Sequence, residues 1–267
     1  MGNPPAPPAT FFAVLDYDSR IVEIATETGK ILRTVVDLGI APEYIQSLDV
    51  DSERSTLYFG IGLKGPLYRM RLPDGHPERI GDGEGVTVSP DGRRLAFART
   101  RDLVVLHLLE GREDIFPGFI GDLGGRPVTW QGDTLAVEID GADVTSVVLL
   151  DTKTRQTTEL QPSTGDARNY TPHAPWFRPS DGLLAVVCCT RGEIDPNEPP
   201  PPAELVLHDP TTGEERDRTR LRLPGGGFDY DASRTYQLLS SEDAVHWRSD
   251  RETKRIPQSD GARLAVW

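Results

Sequence analysis

The feature that most constrains the fold of this sequence is a short pattern that recurs along its length. The stretch from Val86 to Gly111 reads VTVSPDGRRLAFARTRDLVVLHLLEG: an apolar run, a Ser-Pro-Asp-Gly turn, a second apolar run, and a third run that ends in another turn. Related copies are SLDVDSERSTLYFGI from Ser47, VTWQGDTLAVEI from Val128, PWFRPSDGLLAVVC from Pro175 and FDYDASRTYQLLS from Phe228. Short apolar runs separated by Asp, Gly, Ser and Pro predict β-hairpins.

A third and a fourth run follow each hairpin, so that every copy predicts four antiparallel strands. The second strands are anchored at equivalent positions with spacings of 38, 40, 49 and 52 residues, of which the first two match a four-stranded propeller blade and the longer two imply insertions. These positions are Leu57, Leu95, Leu135, Leu184 and Tyr236. The segment that starts at Phe11 lacks a first strand, and GARLAVW at the C-terminus is a strand without a successor. The sequence therefore predicts an all-β, six-bladed β-propeller, closed by pairing of the C-terminal strand with the N-terminal blade.

The turns and strands of the repeat also resemble a known family. SPDGRRLAFA, PSDGLLAVV and QSDGARLAV are similar to the bacterial WD40-like repeat, the PD40 or TolB-like repeat, found in the propeller of the Tol-system periplasmic protein. The Trp-Asp pair of eukaryotic WD40 repeats is absent. The resemblance implies a propeller fold and carries no activity with it.

Composition restricts the partners and the compartment. The chain has 267 residues and a formal net charge of −13, which disfavours nucleic acid and anionic membrane surfaces as partners. Residues 1–9 are rich in proline and are expected to form an extended tail, with one propeller domain over residues 10–267. No basic and apolar leader is visible, so we expect a cytoplasmic protein, or a periplasmic or secreted one if a signal was trimmed.

Two predicted insertions indicate where this chain differs from a plain propeller. The crossover from Thr164 to Trp176 and the loop from Thr190 to Glu204 both belong to the fifth blade and are expected on the same face, where loops commonly carry binding groups. The residues expected to contact a ligand are Arg168, Asn169, Tyr170, His173, Trp176, Arg191, Glu193 and Asp195. The leading interpretation is a binding module for a protein, peptide or small molecule.

Other interpretations of these insertions remain open. The aromatic and proline residues of the first insertion could simply anchor a long crossover, and Pro199 to Pro202 could form a stiff spacer or a docking segment. The alternative function is an enzyme of the lyase, cyclase or hydrolase type at the same face or channel mouth, with His173 as the acid or base and with Tyr170 and Arg168 binding substrate.

The predicted innermost strands provide a second group of candidates. Asp49 and Asp229 fall in the register that faces a central channel, where they could contact a ligand or a metal ion. The competing interpretation is structural: such a carboxylate accepts hydrogen bonds from the backbone of the neighbouring blade.

Motifs for catalysis are missing from the sequence. It contains no Gly-x-Ser-x-Gly elbow, no His-Glu-x-x-His and no Cys-x-x-Cys, so we expect no cofactor and no metal site. Cys188 and Cys189 are adjacent on a predicted strand, where they are expected to be small hydrophobic residues rather than a disulfide. His107, His208 and His246 fall on predicted third strands, where partly exposed packing is the ordinary role.

Overall fold

The fold consists of β-strands that pair with their neighbours along the chain. The computed structural model describes residues 8–15, 19–39, 44–51, 53, 55–121, 124–140, 145–160, 170–178, 181–190, 204–220, 227–230, 237–240, 245–248, 253–255 and 262–266. In these residues there is no helix, and the strands form six sheets of four strands each. The all-β class and the four-stranded antiparallel unit predicted from the repeat are confirmed.

The sheets are numbered in chain order. Sheet 1 contains β1 (Thr10–Leu15), β2 (Arg20–Ala25), β3 (Ile31–Asp37) and β24 (Ala262–Val266). Sheet 2 contains β4 (Ile45–Val50), β5 (Thr56–Ile61), β6 (Pro66–Arg71) and β7 (Glu78–Asp82). Sheet 3 contains β8 (Glu84–Val88), β9 (Arg94–Arg99), β10 (Asp102–His107) and β11 (Arg112–Phe116).

The remaining strands follow the same order. Sheet 4 contains β12 (Gly125–Gln131), β13 (Thr134–Asp140), β14 (Thr145–Asp151) and β15 (Thr157–Glu159). Sheet 5 contains β16 (Tyr170–Phe177), β17 (Leu184–Thr190), β18 (Glu204–His208) and β19 (Glu215–Arg220). Sheet 6 contains β20 (Gly227–Tyr230), β21 (Gln237–Ser240), β22 (Val245–Arg248) and β23 (Thr253–Arg255).

The chain divides into two compact units. The first comprises Met1–Arg99, Val104–Asp114 and Gly226–Trp267, and the second comprises Thr100–Leu103 and Ile115–Gly225. Sheets 1, 2 and 6 belong to the first unit, and sheets 4 and 5 belong to the second. The single propeller domain expected from the sequence stays a prediction.

The C-terminal strand completes the first sheet. β24 pairs antiparallel with β1, with Phe12 opposite Val266 and Ala13 opposite Ala265. This pairing supplies the missing first strand of sheet 1, as the sequence predicted. Closure of a complete ring of six blades stays a prediction.

The second strand of a sheet is buried on both faces. In the first unit, Leu57 and Phe59 of β5 pack with residues of sheet 1, whereas Tyr58 between them packs with residues of sheet 3. Because successive side chains of a strand point to opposite faces, a strand enclosed on both sides needs apolar residues at every position. The anchor positions Leu57, Leu95, Leu135 and Leu184 are all fully buried. The continuous apolar runs of the sequence therefore have a packing reason.

Most turns between third and fourth strands share one hydrogen bond. An N–H donates over 2.8 Å to the carbonyl oxygen four residues earlier, from Gly29 to Ala25, Gly75 to Arg71, Gly111 to His107, Arg155 to Asp151 and Gly213 to Asp209. Four of the five donor residues have a positive φ, and Arg155, with φ of 64°, is the non-glycine residue among them. The tight turns predicted between third and fourth strands are confirmed at these positions.

The Ser-Pro-Asp-Gly turn is held by its own polar side chains. The Arg94 N–H donates to Oγ of Ser89 over 2.9 Å, and that hydroxyl donates in turn to the Asp91 carboxylate. Gly92 has a φ of 66°, which glycine adopts without steric cost. These contacts explain why Ser, Asp and Gly recur at this turn.

Candidate functional site

The two predicted insertions begin at the same end of sheet 5. Tyr170, the first residue of β16, lies opposite Thr190, the last residue of β17. Glu204, the first residue of β18, lies opposite Cys188 of β17. The segments 161–169 and 191–203, which precede β16 and follow β17, therefore both connect at this end of the sheet.

The structure changes the description of the first insertion. Residues 170–176 were expected in a crossover loop, but they form most of β16, with Tyr170 and His173 both paired to β17. Pro172 and Pro175 are compatible with this strand because β16 lies at the edge of its sheet, where one side of the backbone makes no ladder hydrogen bonds. The register also shifts between His173 and Trp176, which marks an irregularity of the β-bulge type.

The predicted ligand residues are described to different extents. For Tyr170 and His173 only the position in β16 is described. The Trp176 side chain is buried, with 5% of its surface exposed. Arg168, Asn169, Arg191, Glu193 and Asp195 lie outside the described residues. Their roles as ligand contacts stay predictions.

Sheet 4 contributes an ion pair that the sequence analysis missed. Glu138 of β13 is buried, with 4% of its surface exposed, and its Oε2 accepts a hydrogen bond from Nε of Arg126 over 2.9 Å. The Arg126 side chain is 53% exposed. The signal in the sequence is LAVEI, in which Glu interrupts an apolar run that is unbroken in LYFGI and LAFA.

The start of β12 fixes the position of this arginine. A Cβ on Gly125 would lie 2.4 Å from the carbonyl oxygen of Glu138, so only glycine fits at this point. The Asp140 N–H donates to the carbonyl oxygen of Gly124 over 3.1 Å. Close approach of the two backbones therefore holds Arg126 directly opposite Glu138.

Within the second unit, the first strands of sheets 4 and 5 begin at the same end. These strands, β12 and β16, are in contact. At the tight-turn end, a Cβ on Gly182 would lie 3.5 Å from Nε2 of Gln131, the last residue of β12. The starts of β12 and β16 therefore lie at the same end of the unit, called here the insertion end and defined by Arg126, Glu138, Asp140, Tyr170 and Thr190.

Asp49, the channel candidate in the first unit, has well-defined hydrogen bonds. Its Oδ2 accepts from the Val88 N–H of sheet 3 over 2.7 Å, and its Oδ1 accepts from the Val50 N–H over 2.8 Å. The Thr87 hydroxyl also bonds to this carboxylate. These are the contacts expected of a structural carboxylate that joins two neighbouring sheets.

Burial has the largest effect on the pKa of Asp49. It raises the pKa of Asp49 to about 6, although the bonds from Val88, Val50 and Thr87 favour the ionised form, and the charge of Asp51 raises it further. Tyr58, which lies opposite Asp49 on β5, also has its pKa raised by burial, to about 12. For Asp229, the second channel candidate, the structure describes only the position in β20, opposite Leu238.

The third-strand histidines differ from one another. His208 is fully buried, in contrast to the partial exposure expected, because its Nδ1 bonds to the Gly213 carbonyl oxygen and ties down the following turn. His107 is partly exposed, with Nε2 lying 2.7 Å from Oδ2 of Asp114. His246 lies on β22. Cys188 is buried and not in a disulfide, as expected.

Within the described ranges, no three His, Cys, Asp or Glu side chains are grouped so that they could hold a metal ion. The same residues include no helix of the length and apolar character needed to cross a membrane.

Comparison with known proteins identifies the fold. No protein-family profile matches the chain, and no curated protein matches it. Among solved structures it is similar to TolB from Acinetobacter baumannii, with 12% identity and a TM-score of 0.69, over 97% of this chain and 65% of that one. It is also similar to a candidate TolB from Agrobacterium tumefaciens, with 12% identity and a TM-score of 0.62, over 95% of this chain and 90% of that one.

A third similar structure comes from a nidogen/laminin complex. It has 13% identity and a TM-score of 0.65, over 96% of this chain and 97% of that one. At these identities the similarity concerns the fold alone. The chain has a TolB-like β-propeller fold, and it spans 65% of the length of the Acinetobacter TolB chain.

Proposed function

We propose that this protein is a six-bladed propeller that works as a binding module for a protein, a peptide or a small molecule, which it engages at the insertion end of sheet 5, its fifth blade. The observation that carries the proposal is the register of that sheet. Tyr170 lies opposite Thr190, so the two longest predicted connections of the chain start from one edge. Loops supported by rigid strands are the usual place for binding residues on such scaffolds.

Comparison with the other sheets supports this assignment. At the corresponding end of sheet 2, residues 62–65 are enough to connect β5 to β6, and in sheet 3 residues 100–101 connect β9 to β10. Short connections therefore suffice in sheets 2 and 3, and the additional length in sheet 5 is available for another role. One of the similar structures comes from a complex of two proteins, which agrees with a binding role for scaffolds of this shape.

The test is affinity capture from an extract of the native cell. We expect the wild type to retain a partner or metabolite that a variant with Arg168→Ala, Tyr170→Ala and His173→Ala loses, because all three changes lie at or next to the start of β16. The control carries Leu63→Ala and Arg101→Ala in the short connections of sheets 2 and 3, where both side chains are exposed, and should capture as the wild type does. Equal capture by the triple variant would show that the binding site lies elsewhere.

A further inference from the structure

The position of Glu138 is unusual when equivalent sheets are compared. Counted from the buried leucine that anchors each second strand, the fourth residue is Gly60 in β5, Ala98 in β9 and Val187 in β17. In β13 it is Glu138, a carboxylate whose side chain is only 5% exposed. Burial of a carboxylate costs free energy even when it is paired, and the other sheets fold with a small or apolar residue at this position. Among the four second strands compared, a buried carboxylate at this position is therefore specific to β13.

The partner of Glu138 occupies a distinctive position as well. Across the first pair of strands, the residues opposite the fourth position are Ser47, Glu84, Arg126 and His173. In the second unit this places Arg126 of β12 and His173 of β16 at the same level of two strands that are in contact. His173 was predicted as a ligand residue from sequence alone. Arg126 therefore lies beside the proposed binding site.

The guanidinium of Arg126 is oriented and accessible at the same time. Its Nε donates to the buried Glu138, Gly125 allows the close approach of the two strands, and the side chain is still 53% exposed. A guanidinium has only hydrogen-bond donors, in a planar array that matches the oxygens of a carboxylate or a phosphate. An arginine held in this way is suited to binding an anion.

We propose that Arg126 binds an anionic group, a carboxylate or a phosphate, of the ligand engaged at the insertion end, and that Glu138 is the positioning residue that orients it. This inference rests on the proposed function and adds the chemical class of the ligand. Asp140 is exposed two residues after Glu138, on the same side of β13, and its charge opposes an incoming anion. Selectivity then comes from the geometry of the guanidinium rather than from a net positive field.

The experiment uses calorimetric titration of the intact protein with two probes, succinate and inorganic phosphate. We expect saturable binding of at least one of them in the millimolar range, and the probe that binds identifies the anionic group. The variant Arg126→Gln with Glu138→Gln removes both charges and preserves a neutral hydrogen-bonded pair. It should bind at least about tenfold more weakly, since a hydrogen bond to a charged group is lost.

Three further variants separate binding from structure. Arg126→Lys keeps the charge but not the planar donors, so it should bind a few-fold more weakly while it folds normally. Asp140→Asn should bind more tightly, which a purely structural role of Arg126 does not predict. Arg99→Gln is the matched control, because Arg99 pairs with Glu113 over 2.7 Å and is 39% exposed, but lies in the first unit. It should bind as the wild type does.

Each remaining outcome overturns the inference. It is wrong if neither probe binds saturably, if the double variant binds as tightly as the wild type, or if Arg99→Gln weakens binding equally. It can also fail separately from the proposed function. Loss of partner capture in the Arg168, Tyr170 and His173 variant, combined with unchanged capture and anion binding in the Arg126 and Glu138 variant, would retain the binding module and exclude Arg126 from it.

Discussion

At the scale of single residues, one carboxylate joins two neighbouring sheets. Asp49 of sheet 2 accepts hydrogen bonds from the backbone and the hydroxyl of sheet 3, through Val88 and Thr87. Burial nevertheless raises its pKa to about 6, so that the charge is costly in the folded protein. The contact is therefore sensitive to pH in a range where most carboxylates are already ionised.

The sign of this effect can be tested with Asp49→Asn. Because the pKa is raised in the folded state, the stabilisation due to Asp49 is complete below about pH 4 and is lost as the pH rises through about 6. Relative to the variant, the wild type should lose up to about 3 kcal/mol of unfolding free energy between pH 4 and 7. Urea denaturation across this range measures the difference. The prediction would be contradicted if the unfolding free energies of the wild type and the Asp49→Asn variant changed equally with pH.

Asp91 provides a control, because its pKa is shifted in the direction opposite to that of Asp49. Burial alone would raise its pKa, but the hydrogen bonds from Ser89 and Arg93 hold it below the usual value. Its stabilising contribution is therefore present above about pH 4 and is lost as the pH falls further. Asp91→Asn should leave the slope between pH 4 and 7 unchanged and should alter it below that range.

Arg155 tests the cost of backbone strain in a turn. It has a positive φ, as do the glycines of three equivalent turns, and its guanidinium lies 4.8 Å from the centre of the Phe116 ring. Arg155→Ala and Arg155→Gly both lose this cation–π contact, while only the glycine variant relieves the strain. The glycine variant should be more stable than the alanine variant by about 1 kcal/mol in urea denaturation. Equal stabilities would mean that the turn is not strained.

At the scale of elements, the close pairing of β12 with β13 positions the exposed arginine. The Arg126–Glu138 pair depends on the absence of a side chain at Gly125, where a Cβ would meet the backbone of Glu138 at 2.4 Å. Strand pairing and the charged pair are therefore coupled. Any change that separates the two strands should disturb both stability and the orientation of Arg126.

Gly125→Ala tests this coupling. The added methyl group must displace β12 from β13, and we expect a loss of about 2–3 kcal/mol in unfolding free energy together with weaker anion binding. The matched control is Gly132→Ala in the turn of the same hairpin, where φ is 58° and no atom lies within 4 Å of the added Cβ. The control should cost about 1 kcal/mol and leave binding unchanged. Similar losses in both variants would contradict the special role of Gly125.

The strands also show which parts of the fold could be predicted from the sequence. The second strands were predictable because a strand enclosed on both faces is apolar throughout, as in LYF and LAFA. The crossover was predicted to extend from Thr164 to Trp176, yet β16 begins at Tyr170, because an edge strand tolerates Pro172 and Pro175. Arg126 and Glu138 could not be predicted from loop length, because their signal in the sequence is a single charged residue inside an apolar run.

At the scale of the whole molecule, the ends of the chain meet in one sheet. β24 runs antiparallel to β1, so the last strand protects an edge that the first strand would otherwise expose. Stability of sheet 1 therefore depends on residues at both ends of the sequence.

A designed disulfide tests this pairing. Ala13 and Ala265 lie opposite each other in the register, so Ala13→Cys with Ala265→Cys should form a bond under oxidising conditions. Both changes are made in a background in which Cys188 and Cys189 are alanine. A shift in mobility on non-reducing gels, with a rise in melting temperature, is the expected result. The control pair Ala13→Cys with Arg263→Cys is out of register and should bond poorly, and efficient bonding of the control alone would contradict the observed pairing.

The burial of β5 on both faces has a consequence for how the first unit unfolds. Because Leu57 and Phe59 contribute to one core and Tyr58 contributes to the next, sheet 2 cannot separate from sheet 1 or sheet 3 without exposing apolar surface on the sheets that remain. The three sheets are therefore expected to open as a single cooperative group. In hydrogen exchange, the amides of β5 should be protected by the free energy of that whole group rather than by the hydrogen bonds of one sheet.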